Sequence, residues 1–195
     1  DKWNSWVFRS SVYGYAQGEK TYRSKYLSGT LTASRITENW KVNLRSGLSQ
    51  SDSKYLINDT TTITGTNSSK YFNSLIVKSL NDHWSIGGRG SLGSSSYNNE
   101  AFSISLMPGI EYDVFPYSES TRRQLRILYT AGYTYVNYMD STIYDKIRDG
   151  LWSHSLSASY EVVQKWGNIN LVVEYQNYFH DWSKNNLSLT TYLDL

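Results

Sequence analysis

The stretch AFSISLMPGIEYDV, residues 101–114, alternates without a slip. Phe102, Ile104, Leu106, Pro108, Ile110, Tyr112 and Val114 fall on one face; Ala101, Ser103, Ser105, Met107, Gly109, Glu111 and Asp113 fall on the other. A period of two marks a strand between two different surroundings. About ten segments read this way, at roughly 3–16, 24–37, 40–50, 70–80, 84–94, 101–114, 123–137, 151–163, 168–179 and 186–195. Many run beyond ~10 residues, against ~5–6 in ordinary soluble sheets, and ~9–11 suits a tilted strand across a bilayer.

Apolar faces recur as Trp6-Phe8-Val12, Leu27-Leu31-Ala33, Trp40-Val42-Leu44-Leu48 and Trp84-Ile86-Leu92. Leu125-Ile127-Tyr129, Trp152-Leu156-Ala158-Tyr160 and Ile169-Leu171-Val173-Tyr175 continue the series. The segment 70–80 has no single apolar face, because Phe72 and Ile76 oppose Leu75 and Val77. The connections TENW (37–40), NDHW (81–84) and QKWGN (164–168) are short, and each sets a Trp beside the next strand. Those at 17–23, 51–69, 95–100, 138–150 and 180–185 read as longer polar loops. Short turns on one rim and long loops on the other characterise outer-membrane barrels. FPYSEST (115–121) breaks this rule as a longer turn on the short side.

In a soluble barrel or sandwich the apolar face would point inward; in a membrane barrel it points to lipid. Segment length and rim asymmetry favour the second. The expected fold is therefore an all-β, antiparallel, up-and-down transmembrane β-barrel forming one domain over 1–195, with about ten strands in this chain. Trp40, Trp84, Trp152 and Trp166 would belong to an interfacial aromatic girdle.

Composition agrees. Only 2 of 195 residues are Pro, and paired strands exclude Pro. Tyr (18) and Trp (7) outnumber Phe (5), as suits an oil–water boundary rather than a dry core. A net charge of +2 with interspersed signs gives no argument for nucleic acid. There is no cysteine, which excludes disulfides, zinc–thiolate sites and cysteine nucleophiles. No run of eighteen apolar residues is present, which excludes a transmembrane helix but not a barrel. No signal peptide precedes Asp1-Lys2-Trp3, so a mature or trimmed chain is expected.

The polar face carries Arg9, Lys41, Arg45, Arg89, Glu111, Asp113, Arg126, Glu161 and Glu174. Arg89, the Glu111/Asp113 pair and Arg126 come from consecutive strands at depths compatible with lateral pairing. They read first as an interior salt-bridge network, and second as a constriction selecting ions or small solutes. The three histidines lie apart. His154 alternates with Trp152 and Leu156, so it shares the apolar face without a serine two residues away. His180 and Asp181 are adjacent, hence on opposite faces of a strand. No cluster has metal-ligand spacing, and no cofactor is expected. NDT (58–60), NSS (67–69), DTT (59–61) and DST (140–142) match glycosylation patterns in expected outer loops.

EYDVFPYSESTRRQLRILYTAGY (111–133), with DKWNSWVFR (1–9), ENWKVNL (38–44) and SKNNLSL (183–189), resembles a family of uncharacterised outer-membrane β-barrel proteins of Bacteroidota-like bacteria. The resemblance covers essentially the whole chain and is most specific in FPYSESTRRQL. It implies a small periplasmic domain before the barrel and a barrel that continues past residue 195. It carries no biochemical function and no catalytic residues. LSLTTYLDL also stops in mid-alternation, so twelve strands are expected in the natural protein, although 186–195 could close against 3–16.

These readings lead to a Gram-negative outer-membrane protein with a periplasmic N-terminus and extracellular loops, in contact with lipid and with other outer-membrane or periplasmic proteins. It is expected to be no enzyme, but a membrane anchor or scaffold. The alternative is a narrow, porin-like passive pore for ions or small polar solutes. A barrel lipase or protease is a distant third.

Overall fold

A computed structural model of the chain describes residues 5–57 and 60–194. They form one antiparallel up-and-down sheet of ten strands in chain order. The strands are β1 Trp6–Gly18, β2 Tyr22–Ile36, β3 Trp40–Leu56, β4 Thr62–Ser79, β5 Trp84–Ser95, β6 Glu100–Asp113, β7 Arg123–Tyr138, β8 Arg148–Gln164, β9 Gly167–Tyr178 and β10 Asp181–Asp194. A 3₁₀ turn at Tyr117–Glu119 is the only helical element among the described residues. The expected closure is absent: β1 and β10 are the two edges, and no pairing joins them among the described residues.

The alternation of residues 101–114 resolves clearly. Trp84, Ile86 and Leu92 of β5 stand opposite Tyr112, Ile110 and Ile104 of β6, on one face. Ser85 and Ser91 stand opposite Glu111 and Ser105, on the other. Along β5 and β6 the apolar face is the exposed one: Leu106 is 63% exposed, whereas Ser85 and Asp113 are 0% and 1%; along β1 and β10 both faces are exposed. No hydrophobic side chain is buried among the described residues. The middle of the sheet thus shields polar groups and exposes apolar ones, the reverse of the usual burial preference.

The unoriented segment 70–80 now has a direction. Phe72 and Ile76 join the apolar face, while Leu75 and Val77 lie on the polar one, opposite Asn43 and Lys41. Val77 has room there because its other partner is Gly87. A Cβ on Gly87 would meet the Ile76 carbonyl and the Val77 backbone.

The short turns are closed by side chains. Thr37 N donates to Trp40 O at 2.8 Å, and Trp40 N donates to Thr37 Oγ1 at 3.0 Å. Asn81 Oδ1 accepts from the amides of His83 and Trp84 at 3.0 and 2.9 Å. Asx- and Thr-type turns of this kind supply the backbone's missing partners locally, so β3 and β5 begin at their tryptophans.

The opposite connections are shorter than expected. They span 19–21, 57–61, 96–99, 139–147 and 179–180. Most of the expected loop 51–69 is strand: β3 and β4 pair from Trp40↔Lys78 out to Leu56↔Thr62. NSS (67–69) accordingly lies within β4, DST (140–142) does lie in a connection, and residues 58 and 59 lie outside the described residues. β4 pairs with β5 only from Ser69 onward, so the hairpin tip overhangs its neighbour. The asymmetry between the rims resides in this overhang more than in loop length. One clasp binds two connections. Asn99, held at φ 60°, donates from Nδ2 to Asp140 O at 2.8 Å, and its Oδ1 accepts from Asp140 N at 2.9 Å.

Candidate functional site

Backbone register decides which polar side chains meet. The polar face curls around a cavity of about 500 Å³ lined by Lys41, Ser85, Arg89, Glu111, Arg126 and Thr130 together with the 37–40 turn. A second cavity of about 360 Å³ shares Arg89 and is bordered by Asn43, Arg45, Asn73 and Ser105. Small residues make this space: Gly87 lies opposite Gly109, and Ser91 opposite Ser105.

All nine expected charged residues lie on this polar face. Arg9 faces Thr32, which faces Arg45 on its other side. Lys41 faces Val77, and Glu174 faces Ser157. Arg126 is the hub. Asp113 is its direct partner in β6. Glu111, opposite Leu128, and Glu161, opposite Gln124, are its diagonal neighbours. Diagonal cross-strand positions lie about 7–8 Å apart, within reach of long side chains.

Arg89 does not belong to that group. It faces Leu75 and Met107, and Met107 is four residues from Glu111, about 13 Å along a strand. The expected lateral pairing of Arg89 therefore fails by depth. Nor does any ion pair join two of the nine among the described residues. The ion pairs found there are Arg123–Glu119 at 2.6 Å, Lys146–Asp149 at 2.9 Å and Lys184–Asp181 at 3.6 Å, all at strand ends and loops. The interior charges have other partners. Glu111 accepts from Ser85 Oγ at 3.3 Å, Glu174 accepts from Gln176 at 2.8 Å, and Arg45 lies 5.9 Å from the Tyr71 ring centre. Both Asp113 oxygens and Arg126 Nε are buried without a hydrogen bond.

Tyrosines on the polar face were not singled out in the sequence. Tyr13, Tyr15 and Tyr26 form a cluster with ring centres 5.7–6.1 Å apart. The Tyr71 ring occupies the place where a Cβ on Gly47 would stand. The alternation does contain them, since each shares parity with a polar residue; their grouping depends on register.

The tryptophans divide between the rims. Trp40 and Trp84 open strands beside the short turns, and Trp166 lies in the 165–166 turn. Trp152 lies toward the other rim, on the apolar face, with its ring centre 5.2 Å from that of Tyr133.

The histidines remain separate. His83 Nδ1 is 2.7 Å from Asp113 O in a turn. His154 is enclosed by the rings of Tyr129, Phe179 and Trp182, with centres 5.9, 4.7 and 5.3 Å away. Its register partners are Ala131 and Asn177, so no neighbouring strand brings a serine opposite it. The Asp181 carboxylate is engaged by Ser183 and Lys184 rather than by His180. Among the described residues no group of three or more His, Cys, Asp or Glu is arranged to hold a metal.

No known protein-family model matches the chain, and no curated protein is similar to it.

Proposed function

We propose that this chain is an outer-membrane β-barrel whose polar face lines a narrow passive path for ions or small polar solutes. The observation that carries the reading is the reversed burial in the middle of the sheet: Leu106 is 63% exposed on one face and Asp113 is 1% exposed on the other. A continuous exposed apolar face of this extent would aggregate in water and is satisfied by hydrocarbon. Trp40, Trp84 and Trp166 at one rim and Trp152 at the other suit the two interfaces of a bilayer. On this reading the short turns and the N-terminus are periplasmic and the β3–β4 overhang is extracellular. The path rests on the cavity beside Lys41, Arg89 and Arg126, which small residues leave open.

One observation favours the other reading, a filled barrel acting as a membrane anchor or scaffold: Tyr13, Tyr15, Tyr26 and Tyr71 project from the same polar face. Single-channel recording in planar bilayers separates the two. Reproducible steps whose selectivity moves toward cations in Arg89→Glu support the path. An inserted but silent protein removes the path and leaves the anchor.

A further inference from the structure

We propose that β10 pairs antiparallel with β1 and closes the sheet, with Asp194 opposite Arg9 and Leu189 opposite Gly14. This rests on the membrane reading above, because unpaired edges cost several kcal/mol per orphaned group only in hydrocarbon.

The registers themselves lead there. One row on the polar face runs from Ile36 through Lys41, Val77, Gly87, Gly109, Thr130, Ser155 and Gln176 to Asn186. It begins at the turn-side end of β2 and finishes eight residues above Asp194, the turn-side end of β10. From β2 to β8 the row climbs steadily away from the turn-side strand ends, so these strands are displaced along their neighbours in the same sense. Accumulated displacement of this kind is the shear that a closed barrel requires.

Strand geometry restricts the closing register. For about ten strands spaced ~4.8 Å with a rise of ~3.4 Å, tilts of ~35–45° correspond to shears of roughly 10–14. Only even values keep apolar residues beside apolar ones. A shear of about 14 would set Asn186 opposite Glu19, beyond the end of β1 at Gly18.

Side-chain chemistry chooses between the remaining two. At a shear of about 12, Asp194 faces Arg9, Asn186 faces Gln17, and Leu187 and Leu189 lie over Ala16 and Gly14. At about 10, Asp194 faces Val7, Asn186 faces Tyr15 and Leu189 meets Val12. The first unites opposite charges, pairs two amides and sets large residues against small ones. The edges of β1 and β10 therefore fit each other, and the accumulated shear, which is that of a closed barrel, makes the chain's own opposite edge rather than a second copy's the occupant.

The absence of native cysteine makes cross-linking unambiguous. The test oxidises Gly14→Cys/Leu189→Cys and Ala16→Cys/Leu187→Cys after insertion into phosphatidylcholine vesicles, with Val12→Cys/Leu189→Cys as the alternative register. Directly opposed residues satisfy disulfide geometry, whereas a two-residue slip separates the Cα atoms beyond ~7 Å. Most of the monomer should become internally cross-linked in the first two variants and little in the third. A second register-matched pair is included because a Cβ on Gly14 comes within 3.3 Å of Tyr26 O. Preferential cross-linking of the third variant overturns the register. Cross-linked dimers, or inserted protein without any disulfide, overturn closure while leaving the membrane reading intact. Failure of the native chain to enter vesicles overturns the membrane reading itself.

Discussion

Arg126 of β7 and Asp113 of β6 are direct register partners on the polar face, yet Arg126 Nε and both Asp113 oxygens are buried without a hydrogen bond. The relationship is one of proximity in a poorly solvated place. Arg126 offsets the charge of Asp113, and Glu111 and Glu161 stand at its diagonal positions. Arg126→Met leaves all three acids without that cation and should lower stability by about 1–3 kcal/mol, the usual loss when buried polar groups are stranded. Arg89→Met, opposite Leu75 and Met107, should lose less than about 1 kcal/mol. Urea unfolding of both variants measures the difference. Equal losses would remove Arg126 from its central role.

Close backbone approach predicts a second contrast. A Cβ on Gly132 would strike the Leu106 carbonyl and come within 2.8 Å of Met107 Cα, atoms that cannot rotate away. A Cβ on Gly29 would meet nothing within 4 Å. Gly132→Ala should therefore destabilise by about 1–3 kcal/mol through overpacking of β6 against β7. Gly29→Ala should be neutral or stabilise by up to about 1 kcal/mol, because alanine loses less backbone entropy. The same urea titration decides. A neutral Gly132→Ala would mean that the two strands are further apart than the structure has them.

How far the sequence could be read follows from what each residue's environment demands. Where apolar and polar residues alternate strictly, as in residues 101–113, parity alone divides the side chains between the two faces of the sheet. It gives no signal where both faces are polar. Ser51–Leu56 and Thr62–Ser68 are paired strand, but with few apolar residues they resemble loop. Parity leaves 70–80 without a direction, because Val77 and Leu75 stand on the polar face opposite Gly87 and Arg89, residues of the next strand. The charged residues were assigned to the right face, but Arg89 to the wrong company. Parity gives a face, whereas depth requires the register of every intervening hairpin. The β5–β6 register, which sets Arg89 opposite Met107 and Ser85 opposite Glu111, is encoded in neither residue's local pattern.

The long turn 114–122 carries a pH-dependent contact. Arg123 Nε donates to Glu119 Oε2 at 2.6 Å, and its guanidinium lies 4.2 Å from the Phe115 ring centre. The hydrogen bond from Arg123, reinforced by the charges of Arg123 and Arg122, holds the Glu119 carboxyl below the ordinary glutamate range. A lowered folded-state value means that the contribution is fully present above the ordinary glutamate pKa. It is lost as pH falls through the lowered value. The pair is exposed, so salt should weaken it. Carboxyl titration by NMR should find Glu119 returning to the ordinary range in Arg123→Ala, and moving part of the way back at about 1 M salt. An unchanged titration in Arg123→Ala would detach Glu119 from Arg123.

The sharpest prediction concerns what the apolar face touches. Leu106 is 63% exposed midway along β6, and Ile86 is 48% exposed two residues from the short-turn end of β5. If water bathed both, a lysine at either position would change stability by no more than about 0.5 kcal/mol, as at most surface sites. Against hydrocarbon the loss depends on depth. Leu106→Lys should lose about 2–4 kcal/mol, as for a charge near a bilayer midplane, and Ile86→Lys about 0–1 kcal/mol near an interface. Folding into phosphatidylcholine vesicles, followed by tryptophan fluorescence across a urea series, yields both values. A steep difference supports lipid around the middle of β6. Two small and equal losses would mean that the exposed apolar face never meets a membrane, and the path proposed for the polar face would fall with it.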